Sequence, residues 1–189
     1  FQVSLGSVAS KLPVFDQVWQ EKELEIFREW CLPGMSTGEF QALTRVIVET
    51  IDQIPQAFVH RDFHCRNLLV GEDGRPAVID FQGAMLGPVT YDLVSLLRDC
   101  YVENPNQWIE EKVNRHLESL KKEKILEDEM EPEKFLRWFD YTGLQRHLKC
   151  IGIFHRLKTR DGKSTYLKDI PRVLAYVEAV LDRQPELFQ

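Results

Sequence analysis

No apolar run in the 189-residue sequence approaches the roughly 20 residues that a membrane-spanning helix needs. Phe1 opens onto no basic n-region or apolar h-region of the kind that marks a secretory signal. Positive charge is in deficit: 24 Lys and Arg stand against 30 Asp and Glu, a formal net charge of -6. Nucleic acids and anionic membranes select basic faces, so neither is an expected partner, and the expected setting is soluble and cytoplasmic. Cysteine is sparse. Cys31, Cys65, Cys100 and Cys150 form no C-x-x-C pair and no metal-ligand spacing; they read as free buried thiols that pack as small apolar groups, with Cys65, inside a polar loop, the exception that could be accessible. No internal repeat or low-complexity tract is present.

What the chain does have is a series of amphipathic helices around one β-rich stretch. Asp16 can cap a helix to about Cys31, with Leu24, Phe27 and Trp30 on one face and Leu32-Pro33-Gly34 ending it. Ser36-x-x-Glu39 is a capping box, followed by Phe40, Leu43, Ile47, Ile51 and Ile54 at helical spacing. Phe58 and Val59 read as a short strand, and Leu68–Val70 and Ala77–Ile79 flank GEDGRP, a hairpin signal. Thr90–Tyr101 is apolar enough for a buried helix, and Asn104-Pro105 reads as N-cap plus proline at the first position of another, with Ile109, Val113, Leu117 and Leu120 inward. Charges of both signs crowd 121–134, as on a solvated helix end. Pro132–Arg156 is a long helix in which Gly143 and Gly152 predict a close approach or a break. Thr159–Ser164 reads as a turn, and Pro171 opens a last helix with Leu174, Val177 and Leu181 inward.

Two polar loops carry the chemistry. His60-Arg61-Asp62-Phe63-His64-Cys65-Arg66-Asn67 begins straight after a strand, and the hairpin returns Asp80 beside it. Phosphoryl transfer is mainly positioning and charge neutralisation, and it needs such a set. Asp62 would accept or orient the proton of an attacking hydroxyl, while Asn67 and Asp80 would offer oxygen ligands to Mg²⁺ bridging ATP phosphates. His60 is expected to pack under the loop and fix its backbone. His64 and Arg66 are candidates for meeting the acceptor or the transferring group, and Asp92, at the start of a helix, is expected to brace the loop.

With these residues in hand, the chain resembles the C-terminal lobe of the aminoglycoside phosphotransferase and choline kinase group of the protein-kinase-like fold. Within it, VHRDFHCRNLLV, VIDFQGAMLGPVTYDLVSLLRDCY, GLQRHLKCIGIFHRLKTRDGK and YLKDIPRVLAYVE are similar to the bacterial kinases that phosphorylate N-acetylmuramate and N-acetylglucosamine at the anomeric hydroxyl. The resemblance implies an α+β, mainly α fold in which a small hairpin carries the catalytic and metal-binding loops. It implies Asp62 as base, Asn67 and Asp80 as Mg²⁺ ligands, Asp92 as brace, and a helical acceptor pocket for which Arg98, Arg146, His147 and Arg156 are candidates, each weighed against exposure or surface pairing. The substrates implied are a small sugar and ATP, the product a sugar 1-phosphate.

Two departures qualify the resemblance. A kinase of this kind needs a β lobe with a phosphate-covering loop and a lysine, and nothing before Phe15 offers either. Residues 1–14 are therefore expected to be a linker from a missing N-terminal lobe and 15–189 the helical C-terminal lobe, weak in ATP binding and turnover alone. Asp80-Phe81-Gln82-Gly83 places Gln82 where some relatives carry a second acid, which leaves one or two Mg²⁺ ions open. The alternatives are a kinase of an aminoglycoside or choline-like metabolite and a non-catalytic binding domain. A protein-substrate kinase fits less well, since GPVTYDLVSLL enters a helix with no A-P-E-like segment.

Overall fold

The computed structural model describes residues 11–188. Over these residues, six α-helices and two small antiparallel sheets make a mainly helical α+β fold. Among the described residues, no helix is long and apolar enough to cross a membrane. The expected linker falls largely on residues outside those described, but Pro13–Phe15 is ordered against a strand, as set out below. The chain divides into two compact units, one made of Ile54–Phe139 with the segment ending at Phe15, the other of Asp16–Gln53 with the chain from Asp140 onward.

In the first unit, β1 (Gln56–Val59) pairs antiparallel with β4 (Met85–Pro88), Val59 opposite Met85. The far side of β4 is taken by the incoming chain: Phe15 N–H donates to Leu86 O at 2.7 Å and Leu86 N–H to Pro13 O at 2.9 Å. Phe15 buries its ring edge-on against Tyr91, centroids 5.1 Å apart. β2 (Leu68–Val70) and β3 (Pro76–Val78) form the expected hairpin, whose turn uses Gly74 at φ 75, in the left-handed region that glycine enters without the strain an L side chain carries. Helix α3 (Tyr91–Leu97) follows β4 and is shorter than its apolar sequence suggests. Asn104 is not the cap of α4 (Asn106–Lys122): Pro105 is, and the Asn104 amide instead donates to Leu97 O at 2.9 Å, closing the end of α3. Ile109, Val113, Leu117 and Leu120 are buried, as their spacing requires.

In the second unit, α1 (Gln17–Cys31) starts at Asp16, whose carboxylate accepts from Trp19 N–H at 2.9 Å. α2 (Thr37–Asp52) starts with the complete capping box of Ser36 and Glu39. Leu24, Phe40 and Val48 form one buried apolar cluster, with Phe27, Leu32, Met35 and Leu148 against it. Leu43, expected inside, is 62% exposed; Thr44 takes its place on the buried face and hides its hydroxyl by donating to Phe40 O at 3.0 Å. The Ser36 hydroxyl and amide hold the Glu39 carboxyl below its ordinary pKa. That contribution is complete above the ordinary carboxylate range and is lost as pH falls through the depressed value. Ser36→Ala is expected to destabilise the protein by about 1 kcal/mol, read as a shift in the urea midpoint, with the difference from wild type shrinking on acidification.

Helix α5 (Pro132–Asp161) runs unbroken through both glycines. Gly152 marks the close approach: a Cβ there would lie 2.7 Å from the Phe27 Cα and nitrogen, on α1. A buried polar cluster ties the same two helices, with Glu23 accepting from Gln145 at 3.0 Å and from Lys149 and Trp19 at 3.4 Å. The predicted turn begins later, because 159–161 remain helical and Gly162 reverses the chain at φ 68. On α6 (Ile170–Arg183) the buried face is Val173, Tyr176, Val177 and Val180, while Leu174, expected inside, is 40% exposed. The helix starts at Ile170, one residue before Pro171, and its packing selects Val173 over the adjacent Leu174.

Candidate active site

The first loop hangs between β1 and β2. Arg61 stands at φ 72 and Asp80 at φ 69, both in the left-handed region that costs an L residue of order 1 kcal/mol or more, so each needs external support. Arg61 receives it from its N–H, which donates to Asp92 Oδ1 at 3.0 Å, and from its guanidinium, which donates to Gly83 O at 3.3 Å. The other oxygen of Asp92 accepts from His60 N–H at 2.7 Å, so a buried carboxylate at the start of α3 holds the loop's first turn from behind. The buried His60 ring reaches Ile79 O at 2.9 Å through Nε2, which therefore carries the proton, and meets the Phe63 ring edge-on.

Past Asp62 the chain makes a 3₁₀ turn, Cys65–Asn67. Asn67 is fixed three ways: its N–H donates to His64 O at 2.9 Å, its carbonyl accepts from Ile79 N–H at 3.1 Å, and its Nδ2 donates to the main-chain carbonyl of Asp62 at 2.9 Å. The Ile79 bond brings Asp80, the next residue, alongside. Asp80 Oδ1 accepts from the Gln82 amide at 2.6 Å. On the other side, the Asp62 carboxylate lies 4.0 Å from where a Cβ on Gly83 would stand. Asp62, Asn67 and Asp80 thus belong to one assembly knitted by main-chain bonds.

The donor set suits a hard cation. With its NH₂ spent on Asp62, Asn67 has its amide oxygen left to offer, and Asp80 adds a carboxylate. Among the described residues no group of three His, Cys, Asp or Glu side chains could hold a metal, so a closed protein cage is absent. Two oxygen ligands fit Mg²⁺, which keeps water and phosphate oxygens for its remaining positions.

The other candidates divide between the units. His64 is half-buried with its ring edge-on to Tyr101, centroids 5.3 Å apart, and the exposed Arg66 lays its guanidinium 3.5 Å over the Tyr101 ring. Arg98 caps the C-terminus of α3, buried, 4.5 Å over the Phe139 ring. Arg146, His147 and Arg156 lie on α5 in the second unit. Arg146 and His147 are buried rather than surface-paired, His147 stacked on Tyr176 at 5.2 Å, and Arg156 is half-buried. Two residues went unnoticed in the sequence reading: Tyr101 and Asp99, the latter buried and accepting from Cys65 N–H and Tyr101 N–H, each at 2.7 Å. Their one sequence signal is position: α3 ends at Leu97, and Asp99 and Tyr101 follow directly after its end. Burial, with the Asp99 carboxylate beside it, pushes the Cys65 thiol up to about 11, so this loop cysteine stays a protonated thiol. Among the described residues no disulfide joins any of the four cysteines.

The model of the phosphotransferase enzyme family, APH, matches residues 4–131. The chain is 39% identical over 190 residues to the N-acetylmuramate/N-acetylglucosamine kinase of Pseudomonas aeruginosa, covering 95% of this chain and 55% of that protein. It is 40% identical over 184 residues to the protein of the same name from Neisseria meningitidis serogroup B, covering 93% and 54%. With the Pseudomonas putida protein of that name it shares 37% over 185 residues, again 93% and 54%. The chain spans about half the length of these curated relatives. With a family model matched over well more than half of its residues, the chain belongs to the phosphotransferase enzyme family.

Proposed function

We propose that the protein carrying this chain is an ATP-dependent kinase that phosphorylates the anomeric hydroxyl of N-acetylmuramate or N-acetylglucosamine in the cytoplasm, with this chain as its helical C-terminal lobe. The observation that carries the reading is the tie between the two loops: Asn67 bonds the main chain of Asp62 through its side chain and that of Ile79 through its carbonyl. One segment then holds the proton acceptor, the amide oxygen and the Asp80 carboxylate in fixed relation. The names of relatives matched along nearly the whole chain supply the acceptor class.

In this reading Asp62 takes the proton of the sugar O1 hydroxyl as O1 forms its bond to the γ-phosphorus and the bond from that phosphorus to the ADP oxygen breaks. An anomeric hydroxyl is more acidic than an ordinary alcohol, so a carboxylate suffices as base. Mg²⁺ held by Asn67 and Asp80 would neutralise charge on the nucleotide phosphates. The chain's own part is placement: Asp92 and His60 fix the loop from behind, and the hairpin sets Asp80 against Asn67.

The test uses the chain extended to the length of its relatives, incubated with ATP and Mg²⁺ and offered N-acetylmuramate, N-acetylglucosamine, choline and an aminoglycoside in turn. An acid-labile sugar 1-phosphate is expected from the amino sugars only. Transfer to choline or the aminoglycoside with none to either sugar would reassign the acceptor, and no transfer to any of the four would leave a binding domain.

A further inference from the structure

We infer that Asp99 is a positioning residue for the acceptor side of the catalytic loop, holding the loop at Cys65 with one carboxylate oxygen and the main chain of Tyr101 with the other. The inference rests on the kinase reading and adds to it a residue that faces neither proton nor metal. Asp99 is 1% exposed. A buried carboxylate is costly unless hydrogen-bond donors surround it, and here two main-chain N–H groups approach at 2.7 Å, the short range of charge-assisted bonds.

The two bonds join two things. Cys65 opens the turn that carries Arg66 and Asn67, and Tyr101 supplies the ring that Arg66 covers and His64 meets edge-on. One carboxylate therefore sets the loop and the aromatic platform on which its two polar side chains lie. The metal end has supports of its own, because Asn67 is also bonded to the main chain of Asp62 and of Ile79, neither of which Asp99 touches. Asp92 guards the opposite end of the loop, at His60 and Arg61. Loosening Asp99 should thus disturb His64 and Arg66 and leave the nucleotide side in place.

An amide cannot replace this carboxylate, since asparagine has one oxygen for two N–H donors and its NH₂ would face the second. In the chain extended to its relatives' length, Asp99→Asn is expected to speed hydrogen exchange at the Cys65 or Tyr101 amide by about 100-fold, the loss of one charge-assisted bond. The KM for the sugar should rise about tenfold with the KM for ATP within about twofold. Tyr101→Leu keeps the main-chain bond and removes the ring, and is expected to reproduce the rise in sugar KM without the change in exchange. Sugar KM unchanged in Tyr101→Leu, or both KM values rising together in either variant, overturns the proposal; if Asp99→Asn yields no folded protein, Tyr101→Leu alone decides. A wild-type protein that phosphorylates no amino sugar sinks the kinase reading instead, and the exchange rates at Cys65 and Tyr101 then decide whether Asp99 holds the loop.

Discussion

Asp62→Asn in the chain extended to its relatives' length is expected to lower kcat for an amino sugar by about 10³-fold, the middle of the range that positioned acid–base groups supply. The substitution is close to isosteric. The bond that organises the loop here runs from Asn67 Nδ2 to the main-chain carbonyl of Asp62, not to its carboxylate, so removing the charge leaves that bond in place. The loss then reads proton acceptance rather than collapse of the loop. Steady-state kinetics at saturating ATP and sugar measure it, with the thermal midpoint as the check on folding. A loss under about tenfold with a normal midpoint would mean that the hydroxyl gives its proton elsewhere.

Gly152→Ala is expected to destabilise the second unit by about 2 kcal/mol, despite a gain of roughly 1 kcal/mol in helix propensity from replacing glycine. The new Cβ would stand 2.7 Å from the Cα and nitrogen of Phe27 and 2.8 Å from the Ile26 carbonyl carbon. All three are main-chain atoms of α1, and no side-chain rotation can relieve the overlap. Either α1 moves away from α5, opening the Glu23, Gln145 and Lys149 cluster, or α5 bends. Denaturant unfolding of the variant measures the change, and a stabilised variant would show that the two helices do not approach so closely.

The helices were legible because each carries its own punctuation and a one-sided apolar stripe: Asp16, the Ser36 and Glu39 box and the run Ile109 to Leu120 all specify structure within a few turns. β4 was not, since Met85-Leu86-Gly87-Pro88 has weak strand propensity and is made a strand by partners far away in sequence, β1 and Pro13–Phe15. Leu43 and Leu174 show the same limit on a smaller scale. Periodicity gives a face to within one residue, and tertiary packing chose Thr44 and Val173 instead. The division into two units was also hidden, because α5 is one continuous helix whose start and remainder belong to different units.

At the site, the loop residues stood out because Asp62, Asn67 and Asp80 sit at a spacing that local turn chemistry does not call for. Asp99 did not. A carboxylate just past a helix end looks like any solvated acid, and its partner Cys65 lies 34 positions away. Arg98, Arg146 and His147 were candidates for the acceptor pocket weighed against exposure or surface pairing; the structure buries all three, Arg98 over Phe139 and His147 on Tyr176, which a count of charges cannot foresee.

The two carboxylates that grip the catalytic loop leave from one short piece of chain, and this makes that piece a ruler. Asp92 sits in the first turn of α3 and Asp99 just past its end, so adding or deleting one residue within the helix would turn Asp99 about 100° relative to Asp92 and away from its donors. Substitutions at Phe63, His64 or Arg66 leave the grip untouched, since the bonds go to main-chain N–H groups that any residue but proline provides. In this chain the loop's side chains can therefore change without loosening the grip, while the length between the two acids cannot.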